Sequence, residues 1–232
     1  ELKEKCITTI LIGGDTWEDR RYVTTNALYR ARKMFFDIAK EDGIKVIAIL
    51  GNHDVAFKNT NIVHSLDIME AAYSNLHIVY DEEIIDFDGV EIAMVSWINK
   101  ENYQQRLEFI RRAKASILLG HFEISGFEMT KGHCCEGGLN QELFSLYDQV
   151  WSGHFHIKSE KGNIKYLGNP FQTNKSDIGY ERGYHVFDTS TKELEFVKNK
   201  FEIYESIHFN DDISFMKFDF EKYRNKIVVV YV

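Results

Sequence analysis

Short apolar runs recur along this chain, and each of them ends in glycine followed at once by polar residues. The clearest run covers residues 44–50, which are almost continuously apolar and rich in β-branched side chains. Such a run is typical of a strand that is buried on both faces in a parallel sheet. Shorter runs of the same kind cover residues 7–12, 116–119 and 150–151. The pattern therefore predicts several buried strands with polar side chains at their carboxyl ends.

Helical spacing of apolar residues occurs between some of these runs. A helix is expected from Thr24 or Thr25 to about residue 40. Its apolar face is formed by Ala27, Leu28, Ala31, Met34, Phe35 and Ile38. Further helices are expected near residues 62–73, with His64 early in the helix, and over residues 101–115, with Arg106 on a solvated face. Helices that alternate with apolar strands indicate an α/β fold with right-handed crossovers.

Composition narrows the class of protein. The 232 residues suffice for one large domain, or for one domain and part of another. No run reaches transmembrane length and no secretory signal opens the sequence, so we expect no membrane association. The three cysteines form no Cys-x-x-Cys pair, which is typical of a reducing compartment. We therefore expect a cytoplasmic location, or the host cytoplasm if the protein is phage-encoded. The net charge of −8 counts mildly against nucleic-acid binding but does not exclude it, because metal ions supply the positive charge of a carboxylate and imidazole site.

Four predicted strand ends carry residue types that bind metals. They are Gly14-Asp15, Gly51-Asn52-His53-Asp54, Gly120-His121 and Gly153-His154-Phe155-His156. Open α/β sheets place ligand sites at the carboxyl ends of strands, and His154 and His156 would project to one side of an extended segment. Carboxylate, amide oxygen and imidazole together suit Mn²⁺, Fe²⁺ or Zn²⁺ better than Ca²⁺ or a thiolate zinc site.

Each of these residues alone also has a purely structural interpretation. Asp15 could cap a helix or a turn, and a single histidine such as His121 at a strand end is more often structural. The repetition of the same position type at four strand ends favours a metal site. His133, Cys134 and Cys135 lie side by side in a loop, which is not the spacing of zinc ligands, so no metal role is expected for them.

In this order, the four motifs resemble those of the calcineurin-like metallophosphoesterases over roughly residues 7–190. The resemblance implies an α/β fold in which a β-sandwich core is flanked by helices in α-β-β-α layers. The stretch from Gly14 to Arg20 is similar to SbcD-type DNA repair nucleases, and Asp54 stands where protein phosphatases of the superfamily usually have Glu. Residues 151–156, 166–170 and 182–188 look most similar to the recombination endonuclease subunits of phages.

Carried over residue by residue, the resemblance implies a two-metal phosphodiesterase site. Asp15 would bridge both ions, and Asn52, His121 and His154 would complete one of the two metal sites. His156 would bind the other ion. The implied cofactors are two divalent ions, with Mn²⁺ expected first and Mg²⁺, Fe²⁺ or Zn²⁺ as alternatives.

The resemblance also implies two catalytic residues and one missing motif. His53 would stabilise the transition state or protonate the leaving oxygen without holding a metal, and Asp54 would orient His53. The family's first motif, Asp-x-His, supplies the remaining ligands of the second ion and does not occur in this sequence. We therefore expect a fragment that is inactive by itself. It would comprise a nuclease core over residues 1–200 without its first strand, and the truncated start of a cap or DNA-binding element over residues 201–232.

The main hypothesis is an SbcD-like nuclease that hydrolyses DNA phosphodiester bonds at duplex ends in recombination or double-strand break repair. The expected partners are DNA, an SbcC-type ABC ATPase and a second copy of the full-length protein. A phosphomonoesterase or cyclic-nucleotide phosphodiesterase on the same core is the second hypothesis, and a non-catalytic scaffold is the third. Activity on a nitrophenyl phosphomonoester but not on DNA would favour the second, whereas complete loss of metal binding would favour the third.

Overall fold

Strands dominate the computed structural model, which describes residues 4–208 and 219–231. The strands are β1 (Thr9–Ile12), β2 (Lys45–Ile49), β3 (Val55–Phe57), β4 (Thr60–His64), β5 (Leu76–Val79), β6 (Glu82–Phe87), β7 (Val90–Val95), β8 (Ile117–Gly120), β9 (Glu128–Thr130), β10 (His133–Cys134), β11 (Gln149–Ser152), β12 (Ser159–Lys161), β13 (Ile164–Tyr166), β14 (Gly183–Asp188), β15 (Glu193–Lys198), β16 (Tyr204–His208) and β17 (Ile227–Tyr231). The α-helices are α1 (Thr25–Ala31), α2 (Asp37–Glu41), α3 (Asp67–Glu70) and α4 (Tyr103–Arg112). A π-helical turn, Arg32–Phe36, joins α1 to α2, and 3₁₀ turns lie at Gln141–Phe144, Lys175–Asp177 and Glu221–Tyr223.

Two sheets carry the predicted strand ends. The first contains three parallel strands in the order β1-β2-β5. The second contains six strands in the order β12-β13-β11-β8-β7-β6, in which the four central strands are parallel and the two edge strands are antiparallel. The carboxyl ends of β1, β2, β8 and β11 therefore bring the four motifs to the same end of the molecule.

Alternate residues of β2 face different cores, which explains its continuous apolar pattern. Ile47 and Ile49 lie in the core between the two sheets, whereas Val46 and Ala48 lie in the core beneath α1 and α2. A third core covers the opposite face of the six-stranded sheet, where Leu118 of β8 packs in one cluster with residues of α4. The predicted α-β-β-α layering is thus confirmed.

The helix predicted near residues 62–73 is wrong. Residues 55–64 form a hairpin of β3 and β4, and only the single turn of α3 follows. The β-branched Thr60, Ile62 and Val63 favour an extended backbone at this position. His64 therefore ends a strand instead of lying in a helix, and its buried ring packs against Tyr80 with the ring centroids 5.0 Å apart.

Three predicted side-chain orientations are also wrong. Met34 and Ile38 were expected to face the core but are 70% and 47% exposed, because the π-helical turn changes the face that the helix presents. Phe36 and Ala39 are buried in their place. Arg106 was expected on a solvated face of α4, yet its side chain is buried and forms ion pairs with Asp81 and Glu82.

The C-terminal residues that are described form two further small sheets. β14 and β15 make an antiparallel hairpin, and β16 pairs with β17 in parallel. The buried side chain of Gln172 joins β16 to the preceding loop, because its Oε1 accepts hydrogen bonds from the N–H groups of Ile203 and Tyr204 at 2.7 and 2.8 Å. The predicted boundary near residue 200 remains a prediction, and part of the 201–232 element (residues 209–218 and 232) lies outside the described residues. Within the described ranges, no helix is both long enough and apolar enough to cross a membrane.

Candidate metal centre

Glycine allows the loops at the strand ends to approach one another closely. A Cβ atom on Gly14 would lie 2.4 Å from Nδ1 of His121, and a Cβ atom on Gly51 would lie 2.2 Å from Oδ1 of Asp15. Gly14 also has a φ of +88°, which side chains rarely tolerate. The glycines that end the apolar runs are therefore required by the contact between loops.

Two of the predicted ligands have a left-handed backbone. Asp15 has a φ of 53° and His154 a φ of 78°. Such conformations cost ~1–3 kcal/mol each in residues other than glycine and persist where the surrounding structure enforces them. Here they turn both side chains back towards the loop that carries Asn52.

Four predicted ligands converge. Nε2 of His121 lies 3.2 Å from Oδ2 of Asp15 and 3.1 Å from Oδ1 of Asn52. Nδ1 of His154 lies 3.0 Å from the same Asn52 oxygen and 3.2 Å from Nε2 of His121. The ligand atoms of Asp15, His121 and His154 all lie within 4.8 Å of one another. These distances place the four side chains around one point, as metal ligands require.

The protonation of the cluster fits a cation. The Nδ1–H group of His121 donates to the carbonyl oxygen of Gly13 at 2.8 Å, which directs Nε2 into the cluster. Burial opposes a charge on His121, but its hydrogen bond to Asp15 and the charge of that carboxylate together raise its pKa. Nε2 of His121 therefore faces the Asp15 carboxylate, and a divalent ion bound between them would compete with a proton on Nε2.

The other two titratable ligands are already in their binding forms. Burial would raise the pKa of Asp15, but the hydrogen bond and charge of His121 outweigh it and lower the pKa to about 2. Burial, together with the charge of His121, lowers the pKa of His154 to about 4. At neutral pH the cluster therefore offers a carboxylate, an amide oxygen and a neutral imidazole, which suit Mn²⁺, Fe²⁺ or Zn²⁺.

Asp54 has different contacts from the predicted one with His53. Its fully buried carboxylate accepts hydrogen bonds from the N–H groups of Gly51 (2.8 Å), Thr16 (2.9 Å) and Trp17 (3.4 Å). Burial raises its pKa to about 6, against the opposing effect of the Gly51 N–H. Asp54 therefore ties the Asp15 loop to the Asn52 loop, whereas the hydrogen bond of the His53 ring is to the carbonyl oxygen of Glu18.

His53 and His156 lie outside the group of converging ligand atoms found among the described residues. The backbone N–H of His53 donates to Oδ1 of Asp15 at 2.8 Å, so His53 is next to the cluster without contributing its ring. The carbonyl oxygen of His156 accepts hydrogen bonds from the guanidinium of Arg182 and from the N–H of Asn169. Their predicted roles, in catalysis and in a second metal site, remain predictions.

The sequence argument missed Ser96 and Trp97, which follow β7. Oγ of Ser96 accepts a hydrogen bond from the N–H of Leu50 at 2.8 Å and donates to the carbonyl oxygen of Val79, which fixes the end of β7 against the first sheet. The ring centroid of Trp97 lies 5.4 Å from that of His154 and 6.0 Å from that of His121. In the sequence, the only feature that could have identified these two residues is that they directly follow an apolar run, and no glycine marks the end of that run.

Comparisons with known proteins agree with this arrangement. A family model described as calcineurin-like phosphoesterase matches residues 1–158. The chain is 34% identical over 207 residues to exonuclease subunit 1 of Enterobacteria phage T4, covering 89% of this chain and 60% of that protein. It is 26% identical over 212 residues to the SbcD component of the nuclease SbcCD from Staphylococcus epidermidis, covering 80% of this chain and 56% of that protein. The chain thus spans less than two thirds of each of these curated relatives.

A solved archaeal phosphodiesterase aligns with 85% of this chain and 87% of its own, but its TM-score of 0.41 and 14% identity are too low to bear on function. The family model covers well over half of the sequence and includes all four strand-end motifs. The chain belongs to the calcineurin-like phosphoesterase family.

Proposed function

We propose that the protein containing this chain is an SbcD-like nuclease, which uses divalent metal ions to hydrolyse DNA phosphodiester bonds at duplex ends in recombination or repair. The observation that carries the proposal is the convergence of Asp15, Asn52, His121 and His154 around one point. The choice of DNA as substrate is supported by two relatives that are named as an exonuclease subunit and a nuclease subunit.

In this proposal the four converging residues hold one ion, and Asp15 and His156 contribute to a second. When bound, such ions neutralise charge on the phosphoryl group and lower the pKa of water, which is the chemistry that phosphodiester hydrolysis needs. Mn²⁺ is proposed because oxygen and imidazole donors are combined without thiolate. His53, whose backbone is fixed on Asp15, protonates the leaving oxygen.

The two metal sites differ in the number of ligands that this chain provides. Among the described residues, the second site has only Asp15 and His156, and two ligands hold a labile divalent ion poorly. We propose that further ligands, of the kind that an Asp-x-His motif supplies, complete it. Calorimetric titration of residues 1–232 with Mn²⁺ should then show one tight ion per chain, whereas two ions of equal affinity would contradict this assignment.

The partners are proposed on the same basis. Both relatives are named as subunits, and one of them belongs to SbcCD, so we propose an SbcC-type ATPase partner or its phage counterpart. A homodimer of the full-length protein is proposed as well. Co-purification of the full-length protein with no ATPase, and processive DNA cleavage without ATP, would count against the ATPase.

The experiment that tests the proposed function measures hydrolysis of linear duplex DNA by the full-length protein with Mn²⁺ and with a chelator. Cleavage should require the ion and should be lost in His154→Ala. The matched control is His133→Ala, since His133 is exposed and the hydrogen bond found for its ring among the described residues is to the nearby carbonyl oxygen of Lys131. Hydrolysis of a nitrophenyl phosphomonoester without DNA cleavage would instead favour the phosphomonoesterase alternative.

A further inference from the structure

Trp97 differs from the other two tryptophans of the chain in its exposure. Trp17 and Trp151 are 8% and 3% exposed, whereas Trp97 is only partly buried. One part of the Trp97 side chain packs on the core beneath α1 and α2. The ring is therefore partly accessible at the carboxyl end of the sheets, where it offers a large flat apolar surface to a ligand.

The position of the ring relates it to the metal centre. Its centroid lies 5.4 Å from that of His154 at an interplanar angle of 36°, and 6.0 Å from that of His121 at 74°. Within the described ranges no hydrogen bond joins the Trp97 indole N–H to a protein acceptor, and the same is true of Trp17, whereas Nε1 of Trp151 donates to Gln149. Trp97 therefore forms an aromatic wall beside two of the four converging ligands.

The backbone of Trp97 is fixed from both sides. Its N–H donates to the carbonyl oxygen of Leu50 at 2.7 Å. Its own carbonyl oxygen accepts hydrogen bonds from Nδ2 of Asn61 at 3.0 Å and Nδ2 of Asn102 at 3.2 Å. Asn61 is itself buried and accepts a hydrogen bond from the buried Asn99 at 3.0 Å. A ring on so restrained a backbone loses little conformational freedom when a flat ligand stacks on it.

We propose that Trp97 binds substrate by stacking on the nucleobase attached to the sugar next to the scissile phosphate. The inference rests on the proposed function and names the part of the substrate that this residue recognises. A base lies one sugar away from its phosphate, a separation comparable to that between the Trp97 ring and the ligand rings. Stacking on an aromatic ring tolerates any base, so Trp97 selects single-stranded or frayed nucleotides without selecting a sequence.

The test compares two oligodeoxynucleotides of equal length and charge, one bearing thymine bases and the other abasic throughout. Binding to the full-length protein is measured by fluorescence anisotropy with Mn²⁺, in a His53→Ala background so that the DNA is not consumed. Trp97→Ala should weaken binding of the thymine oligonucleotide by about 5- to 150-fold, as base–aromatic stacking predicts, and leave abasic binding unchanged. Trp97→Phe should retain most of the affinity, and Tyr29→Ala, which removes a 61% exposed aromatic ring from α1, should change neither.

The outcomes separate stacking from structural support. Calorimetric Mn²⁺ affinity should be the same in Trp97→Ala and in the parent, because the ring donates no ligand atom. Equal loss of both oligonucleotides, or a loss of Mn²⁺ affinity, would show that the ring only supports His154 and would overturn the proposal. Equal affinity of the parent for thymine and abasic strands would overturn it while leaving the phosphodiester site intact. Failure of the parent to bind either strand would overturn the proposed function as well.

Discussion

Asn52 and His53 are adjacent, and His154 and His156 are two residues apart, yet in each pair only the first residue joins the converging ligand atoms. Asn52 and His154 approach each other to 3.0 Å, whereas the rings of His53 and His156 lie outside the cluster. The first of the two proposed metal sites is therefore assembled by four strand ends from two sheets, whereas the second would depend on side chains at the margin of that cluster. The two residues of each pair therefore lie close together in the structure, but only one of them contributes to the group of converging ligand atoms.

The difference follows from how each position is constrained. The first site is closed by glycine contacts that leave no room for a Cβ atom, and by the Asp54 carboxylate, which accepts three backbone N–H groups. His156 is held through its carbonyl oxygen, by Arg182 and Asn169, and these contacts do not involve its ring. Variants of the converging cluster and of the residues beside it should therefore have separate effects.

The largest effect is expected from His154→Ala. The variant removes a ligand of the first site, so Mn²⁺ affinity should fall by more than about 100-fold, which is the upper range for loss of a group that only supports a ligand. Cleavage by the full-length protein should be lost with it. Calorimetry of His154→Ala beside His133→Ala measures the difference, and comparable affinities in the two variants would remove His154 from the site.

The second-largest effect is expected from His53→Ala, which distinguishes the converging cluster from the residues beside it. His53→Ala should leave Mn²⁺ affinity within about threefold of the parent, because the ring lies outside the cluster. DNA cleavage by the full-length protein should fall by roughly 10²- to 10⁴-fold, the range typical of a lost general acid. A fall in Mn²⁺ affinity as large as that of His154→Ala would make His53 a ligand and move it into the first site.

A third prediction concerns the glycines that close the first site. Gly14→Ala places a Cβ atom 2.4 Å from His121 and at a φ of +88°, whereas Gly162→Ala meets nothing within 4 Å at a φ of +62°. Backbone strain of about 1–2 kcal/mol is common to both variants. The additional loss of stability in Gly14→Ala therefore measures the cost of separating the loops. Chemical denaturation should show at least twice the loss of stability for Gly14→Ala. Equal losses would mean that the loops separate easily and that the site is not preorganised.

Much of this organisation was accessible from the sequence because it depends on local pattern. The apolar runs that form β1, β2, β8 and β11 end in glycine and polar residues, and parallel strands place such ends together. The family resemblance selected Asp15, Asn52, His121 and His154 from these strand ends as expected ligands, and the four side chains meet in the structure.

What the sequence did not predict depends on contacts between distant residues. The carboxylate of Asp54 accepts a hydrogen bond from the N–H of Thr16, which is 38 residues away in the sequence. No local sequence pattern distinguishes this contact from a contact with the neighbouring His53. Trp97 and His154 follow β7 and β11, two strands of one sheet that β8 separates, and they are 57 residues apart in the sequence. Arg106 is buried only because Asp81 and Glu82 compensate its charge. The π-helical turn before α2 changes the buried face of a helix whose apolar spacing looked regular.

The smallest expected effect compares two histidines with lowered pKa values. Burial lowers the pKa of His154 to about 4 in the cluster, and burial, with the charges of Lys158 and Lys165, lowers that of His185 on β14 to about 4. The unfolded chain binds a proton at each position near pH 6.5, whereas the folded chain stays neutral there until about pH 4. Above pH 6.5 neither histidine contributes to the pH dependence of the free energy of unfolding. As pH falls from 6.5 to 4, the unfolded state gains protons and the free energy of unfolding falls, by less than about 1.4 kcal/mol per pH unit for each group.

The two contributions can be separated by metal and by mutation. His185→Gln should flatten the slope of unfolding free energy against pH between 6.5 and 4 both with and without Mn²⁺, because His185 is on β14, away from the converging ligands. Mn²⁺ should alter the share of the slope that His154 contributes, since the ion competes with protons for its nitrogen and is released as pH falls. Denaturation curves at several pH values, with and without the ion, measure both shares, and His133→Gln on the exposed strand β10 is the control. If Mn²⁺ left the slope unchanged in the parent and in His185→Gln alike, the ion would not be bound through His154, and the first site would lose the ligand on which its contrast with the second depends.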